Sequence, residues 1–292
     1  MFVFIAGYLF HHLSEKYEYK RYLKKKFLNV LLPYLFLSTP AVYHAIWVGG
    51  LEERFLELQD TGVLYKVAWL YLKGGAHLNH PLWFIPMIML FYLAAPFFIY
   101  ISKNQKWYLL LLILLVHRPE YPNLDVVHSF LSFLPVYILG MFFSQFRVEL
   151  DAYVKDNFIW LVLIFLMILF YQIFFMEYHG VHTSVSMFST ERGVIDILLL
   201  QKLILSILLL HLLKIFDRIV ENRLDYIAQI SFGIFFVHGY FLFILSYFFH
   251  EVIQFSLINW FILTTLVVFL SIATCYLGQK FLNKKSRLVI GC

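Results

Sequence analysis

Seven long apolar segments govern what this chain can fold into: residues 29–48, 82–101, 126–143, 158–176, 194–213, 231–249 and 257–281. Each meets or nears the roughly 20 mostly apolar residues that a helix needs to cross a bilayer. The composition agrees. The 292 residues are 62% hydrophobic and only 14% charged, and a soluble domain could not cover so much apolar surface with so few charges. Lipid must be the solvent for most of the chain. Its 33 Phe and 20 Tyr suit a bundle with Phe against lipid and Tyr at the interface.

Two shorter runs raise the count to nine candidate segments. Residues 2–10 (FVFIAGYLF) are apolar but too short to insert alone, and residues 107–116 span only with help from their flanks or a thinned bilayer. No internal repeat, low-complexity tract or soluble domain interrupts the pattern. The expected architecture is therefore all-α: a polytopic transmembrane helical bundle of about nine segments, forming one integral-membrane domain over residues 1–292. Residues 51–58 (LEERFLEL) and 63–72 read as helices lying at the membrane surface, or as an ordinary structured loop.

Lys and Arg set the orientation. With the loop from Lys16 to Lys26 in the cytoplasm and nine alternating segments, 17 of the 23 Lys and Arg fall on the cytoplasmic side. The C-terminus is then cytoplasmic, and the first residue faces outward. That arrangement requires the short 107–116 run to span, and an external start hints at a missing first helix. Cys275 lies inside the last apolar segment and Cys292 ends the sequence; both read as inert thiols rather than a disulfide framework.

Several polar residues stand out against this background. Lys24, Lys25 and Lys26, close to Lys20 and Arg21, form a cluster able to hold phosphates, or to anchor the loop on anionic lipid. His77/His80 and His179/His182 have spacing suited to one helix face, but no carboxylate or Cys completes a ligand set and no metal is expected. A histidine near the surface can instead act as a general base. Ionisable groups within apolar segments are costly and therefore informative: Asp196 and Lys202 in the fifth long segment, His211 near its end, and His238 in the sixth. Asp196 closely follows Glu191 and Arg192 and can face a hydrated vestibule. His238 reads equally as a neutral imidazole hydrogen-bonded to a neighbouring helix.

The order of these landmarks resembles the integral-membrane acyltransferase family 3. FVFIAGYLF followed by YLKKKFLNVLLPYL is similar to that family's second and third helices, where an aromatic-rich "FFxxSGF" element precedes a basic "RRxxRxxPxY" element. HPLWFIPMIMLFY resembles its "HLWFL…FY" helix, FLPVYILGMFFSQF its "F…FFLGxxL" helix, and ISFGIFFVHGYF its "iSygiYLlHp" helix. The resemblance implies an enzyme of the cell (inner) membrane. It would move an acyl group, commonly acetyl, from acetyl-CoA or another acyl-CoA to a hydroxyl of a surface polysaccharide or lipid-linked sugar. Its partners would be that glycan and membrane lipids, with no nucleic acid. Lys24, Lys25 and Lys26 would meet the CoA phosphates, and His80, Trp83, Glu191, Arg192 and Asp196 would lie nearer the acceptor; as a hypothesis separate from the resemblance, His80 or His238 substitutes for the family's base.

This chain also departs from the family's pattern. The family's first helix carries an Arg and, about ten residues later, its presumed catalytic His, and neither has a counterpart here. Ala6 replaces a Ser, Asn29 an Arg, and Ile88 and Met89 stand where glutamates occur in one branch. Two further functions stay open on the sequence: an export component using the same bundle without chemistry, and an inactive remnant.

Overall fold

The computed structural model describes residues 2–16, 18–48, 58, 61–72, 80–109, 126–175, 197–220, 223–249 and 256–292. Their regular elements are all helical. In chain order they are α1 (Phe2–Leu13), α2 (Tyr19–Lys26), a π-helical turn (Phe27–Leu31), α3 (Leu32–Trp47) and α4 (Val63–Leu72). A 3-10 turn (His80–Trp83) leads into α5 (Phe84–Leu93) and α6 (Ala95–Lys103). There follow α7 (Val126–Gln145), α8 (Arg147–Asp156), α9 (Phe158–Phe175), α10 (Ile197–Val220), α11 (Arg223–Phe249), α12 (Leu257–Leu282) and the short α13 (Ser286–Val289).

Among the described residues five helices are long and apolar enough to span a bilayer: Tyr19–Trp47, Val126–Gln145, Phe158–Phe175, Asp225–Phe248 and Ile258–Leu282. A sixth span is counted if α5 and α6, broken at Ala94, act as one. This corrects the expected nine. At 1.5 Å per residue, the twelve residues of α1 reach only about 18 Å, well short of the ~30 Å hydrocarbon core. Of the 107–116 run, Trp107 and Tyr108 sit in a 3-10 turn (Gln105–Tyr108), and most of the rest lies outside the described residues. The break at Ala94 precedes Pro96, whose ring and missing N–H oppose an unbroken helix. The 24-residue α10 carries Lys202, Lys214, Asp217 and Arg218 along its length and is not among the five.

The described residues form two compact units, residues 1–19 with 93–222 and residues 20–92 with 223–292. In the first, α1 and α7 touch backbone to backbone. A Cβ placed on Gly7 would lie 2.0 Å from the Tyr137 carbonyl oxygen, and one on Gly140 would lie 2.1 Å from that of Phe4. Only glycine permits so close an approach, as at many membrane helix crossings. The seam continues toward the end of α1, where His11 Nδ1 meets Ser144 Oγ at 3.1 Å and Arg147 donates to His12 Nδ1 at 3.2 Å. Phe98 of α6 packs on Tyr137, with centroids 4.6 Å apart. Lys214 of α10 pairs with Asp151 of α8. Helix α9 is apolar on every side, and its one buried residue is Gln172.

In the second unit α11 packs along α12, and α3 is held by hydroxyls that donate to its carbonyls. Tyr71 of α4 donates to Leu35 at 3.2 Å, and Tyr240 of α11 donates to Leu37. Tyr34 reciprocates by donating to the Tyr71 carbonyl at 2.7 Å. These bonds lie in the helix stretch that contains Pro40, where the intrahelical ladder already loses a donor. The hook 286–292 folds onto α11 and α12. Gly278 accommodates Ile290, and Gly233 makes room for Cys275 and Cys292, where a Cβ would meet Cys275 Sγ at 2.6 Å. The Cys292 thiol points at the Cys275 carbonyl, 3.6 Å away. Gly291, at φ +79°, supplies the left-handed turn that closes the hook.

Candidate functional site

Of the residues given a role in acyl transfer, those that the structure describes all lie in the second unit, whereas Lys202 and His211 lie on α10 in the first. The second unit's basic run begins on α2, where Tyr22 and Lys26 are four residues apart and so share one helix face. Tyr22 is buried, Lys24 and Lys25 are exposed, and Lys26 is half-buried. The Lys26 ammonium lies 4.5 Å from the centroid of the Tyr92 ring and 5.4 Å from that of Tyr22. The two tyrosines meet edge to face at 5.8 Å. This aromatic cradle offers the cation a partial replacement for water and distinguishes Lys26 from its two neighbours. Three adjacent lysines of equal role are therefore not what the fold builds.

Immediately after Lys26 the helix widens. Leu32 N–H bonds to the carbonyl of Phe27, five residues back, which defines the π-helical turn. Pro33 follows, and its missing N–H removes the ordinary donor to residue 29. The widened turn accommodates this without ending the helix, so α2, the turn and α3 form one 29-residue rod. Single π turns inside α-helices occur frequently at functional sites.

A second set of groups surrounds His238. This residue sits in α11, half-buried, with Nδ1 3.1 Å from the carbonyl oxygen of Ile234. A carbonyl can only accept, so Nδ1 carries the proton in the neutral ring and Nε2 carries the lone pair. That tautomer leaves Nε2 able to take a proton from a substrate. The hydrogen bond runs within its own helix, not to a neighbouring one.

The 3-10 turn from His80 to Trp83 packs against α11. From it an aromatic series leads to the imidazole: Trp83 to Phe84 at 6.4 Å, Phe84 to Phe235 at 5.7 Å, and Phe235 to His238 at 6.0 Å. Trp83 is half-buried, so its ring keeps an accessible part. His80 occupies the first position of the turn. The fold thus brings the element carrying one histidine candidate against the helix carrying the other. Glu191, Arg192 and Asp196 lie outside the described residues, as do His77, His179 and His182.

Three features of the site were not singled out from the sequence. The Tyr22–Tyr92 cradle joins residues 70 positions apart, and no local pattern announces it. The π turn had a signal in Pro33 close behind a basic helix. Arg287 also belongs near this site, because the short helix α13 that carries it packs against the π turn that follows Lys26.

Comparison with known families gives a match over residues 1–279 to a model described as an acyltransferase domain. No curated protein and no solved structure matches the chain.

Proposed function

Since the chain belongs to the integral-membrane acyltransferase family 3, we propose that it transfers an acyl group, acetyl foremost, from an acyl-CoA to a hydroxyl of a surface polysaccharide or lipid-linked sugar. The observation that carries this reading is His238. Its Nδ1 bond to Ile234 leaves Nε2 as an acceptor, and it stands at the end of an aromatic series that begins at the half-exposed Trp83. A sugar ring can lie against such a surface while the base reaches its hydroxyl.

In the proposed reaction, His238 Nε2 removes the proton as the acceptor oxygen attacks the thioester carbonyl. The carbonyl oxygen gains charge in the tetrahedral intermediate, so donors close to it would lower the barrier. Collapse of the intermediate forms the new ester and breaks the C–S bond. The imidazolium returns its proton to the departing thiolate. Lys24, Lys25 and Lys26 hold the donor's phosphates, with Lys26 kept in place by Tyr22 and Tyr92. Trp83, Glu191, Arg192 and Asp196 contact the acceptor, and His80 is the competing candidate for base. The protein resides in the cell (inner) membrane with its C-terminus cytoplasmic, among membrane lipids.

The test uses the purified protein in lipid with radiolabelled acetyl-CoA and a lipid-linked oligosaccharide. His238→Ala should reduce label transfer by the 10²–10⁴-fold typical of losing a general base, while His80→Ala should retain most of it. Transfer that survives in His238→Ala but fails in His80→Ala would move the base to His80. Acceptor carried across the membrane without label would favour an exporter.

A further inference from the structure

Both cysteines of the chain are free thiols, and the second unit brings them together. The hook folds back so that Cys292 joins Cys275 and Ile230 in one small buried cluster. Gly233 of α11 marks the meeting point. A Cβ there would stand 2.6 Å from Cys275 Sγ, 2.7 Å from Cys292 Cβ and 3.2 Å from Cys292 Sγ. Two sulfurs so close to one point lie within about 6 Å of each other, a gap that side-chain rotation can close to a bond when the Cβ atoms stand about 3.5–4.5 Å apart. Any larger residue at position 233 would fill the space into which they turn.

Neither sulfur is held firmly where it is. Cys275 Sγ lies 3.9 Å from the Ile230 carbonyl oxygen and Cys292 Sγ 3.6 Å from that of Cys275, and a thiol is a weak donor. Cys275 is fully buried while Cys292 is 7% exposed, so an oxidant arriving from solvent meets Cys292 first. The backbone that carries Cys292 is well defined. Ser286 Oγ donates to the Cys292 carbonyl, the Ile290 N–H donates to the Ser286 carbonyl at 2.8 Å, and Gly291 turns the chain at φ +79°. The same hook carries α13, which packs on the π turn and on α3. Whatever fixes Cys292 therefore also fixes α13 on the widened turn that follows Lys26.

We propose that Cys275 and Cys292 form a reversible dithiol switch, in which hydrogen peroxide converts the pair to one intramolecular disulfide that clamps the hook to α12. Cys292 Sγ attacks the peroxide and breaks its O–O bond, giving a sulfenic acid; the departing hydroxide takes up the thiol proton and leaves as water. Cys275 Sγ then displaces the sulfenic oxygen, the S–S bond forms, and that oxygen leaves with the second thiol proton as another water. Two thiols are oxidised and one peroxide is reduced to two waters. A small dithiol restores the pair by exchange. With the C-terminus cytoplasmic, as proposed above, such a bond is a transient redox response rather than a permanent brace. The proposal does not depend on acyl transfer.

The test follows the thiols and the hook, without turnover. Full-length protein in nanodiscs is treated with hydrogen peroxide, quenched with catalase, denatured, alkylated with N-ethylmaleimide and weighed intact. Untreated protein should take two adducts, one for each cysteine; treated protein should take none, with the mass of a monomer less two hydrogens, and should regain both after dithiothreitol. Cys275→Ser and Cys292→Ser each remove the partner, so neither should form that species. Trypsin reads the clamp, since Arg287 is exposed: cleavage after it should release residues 288–292 from reduced protein, but from oxidised protein only once reductant is added. Cleavage itself should slow by about tenfold or more on oxidation, because the cross-link closes a short loop and disfavours the open hook. Two adducts persisting after peroxide, separate oxygen additions on each sulfur, or a disulfide joining two copies would each overturn the switch. Equal cleavage rates in both redox states would overturn the clamp.

Discussion

Replacing Gly140 with Ala tests the packing of α1 on α7, because two effects of opposite sign compete at this position. In a helix with space around it, Gly→Ala is favourable by about 0.5–1 kcal/mol, through the lost freedom of the unfolded chain. At Gly140 the added methyl would lie 2.1 Å from the Phe4 carbonyl oxygen and 2.9 Å from the Tyr8 nitrogen. Both are backbone atoms, so no side chain can swing aside. The helices must part by more than an ångström to restore ordinary contact at 3.4 Å. Overpacking of this kind costs about 1–3 kcal/mol or more, which exceeds the propensity gain. The variant should therefore unfold more readily in detergent micelles containing chemical denaturant. Gly62→Ala, just before α4, is a control for the added methyl's contacts alone, since a Cβ there meets nothing within 4 Å. A Gly140→Ala protein as stable as the parent, or more so, would refute the direct backbone contact.

Two further substitutions probe polar groups inside the units. Gln172→Leu should stabilise the protein by about 1–3 kcal/mol in the same denaturation assay, because Gln172 Oε1 is buried with no hydrogen-bond partner among the described residues. Tyr92→Leu should weaken the hold on Lys26 by about 0.5–2 kcal/mol while Tyr92→Phe largely preserves it; coenzyme A titration of the two variants reads the difference.

Helix position was largely legible in the sequence because length and apolarity decide it. The helix expected over residues 126–143 is observed as Val126–Gln145, and that over 257–281 as Leu257–Leu282. Family membership was legible too, since it rests on the order of short motifs along nearly the whole chain. Other features depend on geometry that no window of residues contains. Composition made 82–101 read as one segment, yet Ala94 and Pro96 break it. The segment 29–48 read as a span beginning after the lysines, whereas the π turn carries the helix through them from Tyr19.

Among the candidate site residues, the run of lysines was visible but the inequality within it was not. Lys26 is distinguished by Tyr92, far along the chain, and the turn that follows it is packed by the short helix carrying Arg287. Both cysteines read as inert thiols, and the hook brings their side chains to the same glycine, Gly233. His238 was visible as an ionisable group in an apolar helix. Its tautomer follows from a carbonyl four residues back in its own helix, a contact that periodicity permits without requiring.

The proposed reaction moves an acyl group from a thioester to a sugar hydroxyl. Its most direct measurement is transfer of radiolabelled acetyl from acetyl-CoA to a lipid-linked oligosaccharide by the purified protein in proteoliposomes. Label is expected in alkali-labile ester linkage on the sugar, reduced at least a hundredfold in His238→Ala. An acceptor that stays unlabelled in the presence of well-folded parent protein and saturating donor would contradict it.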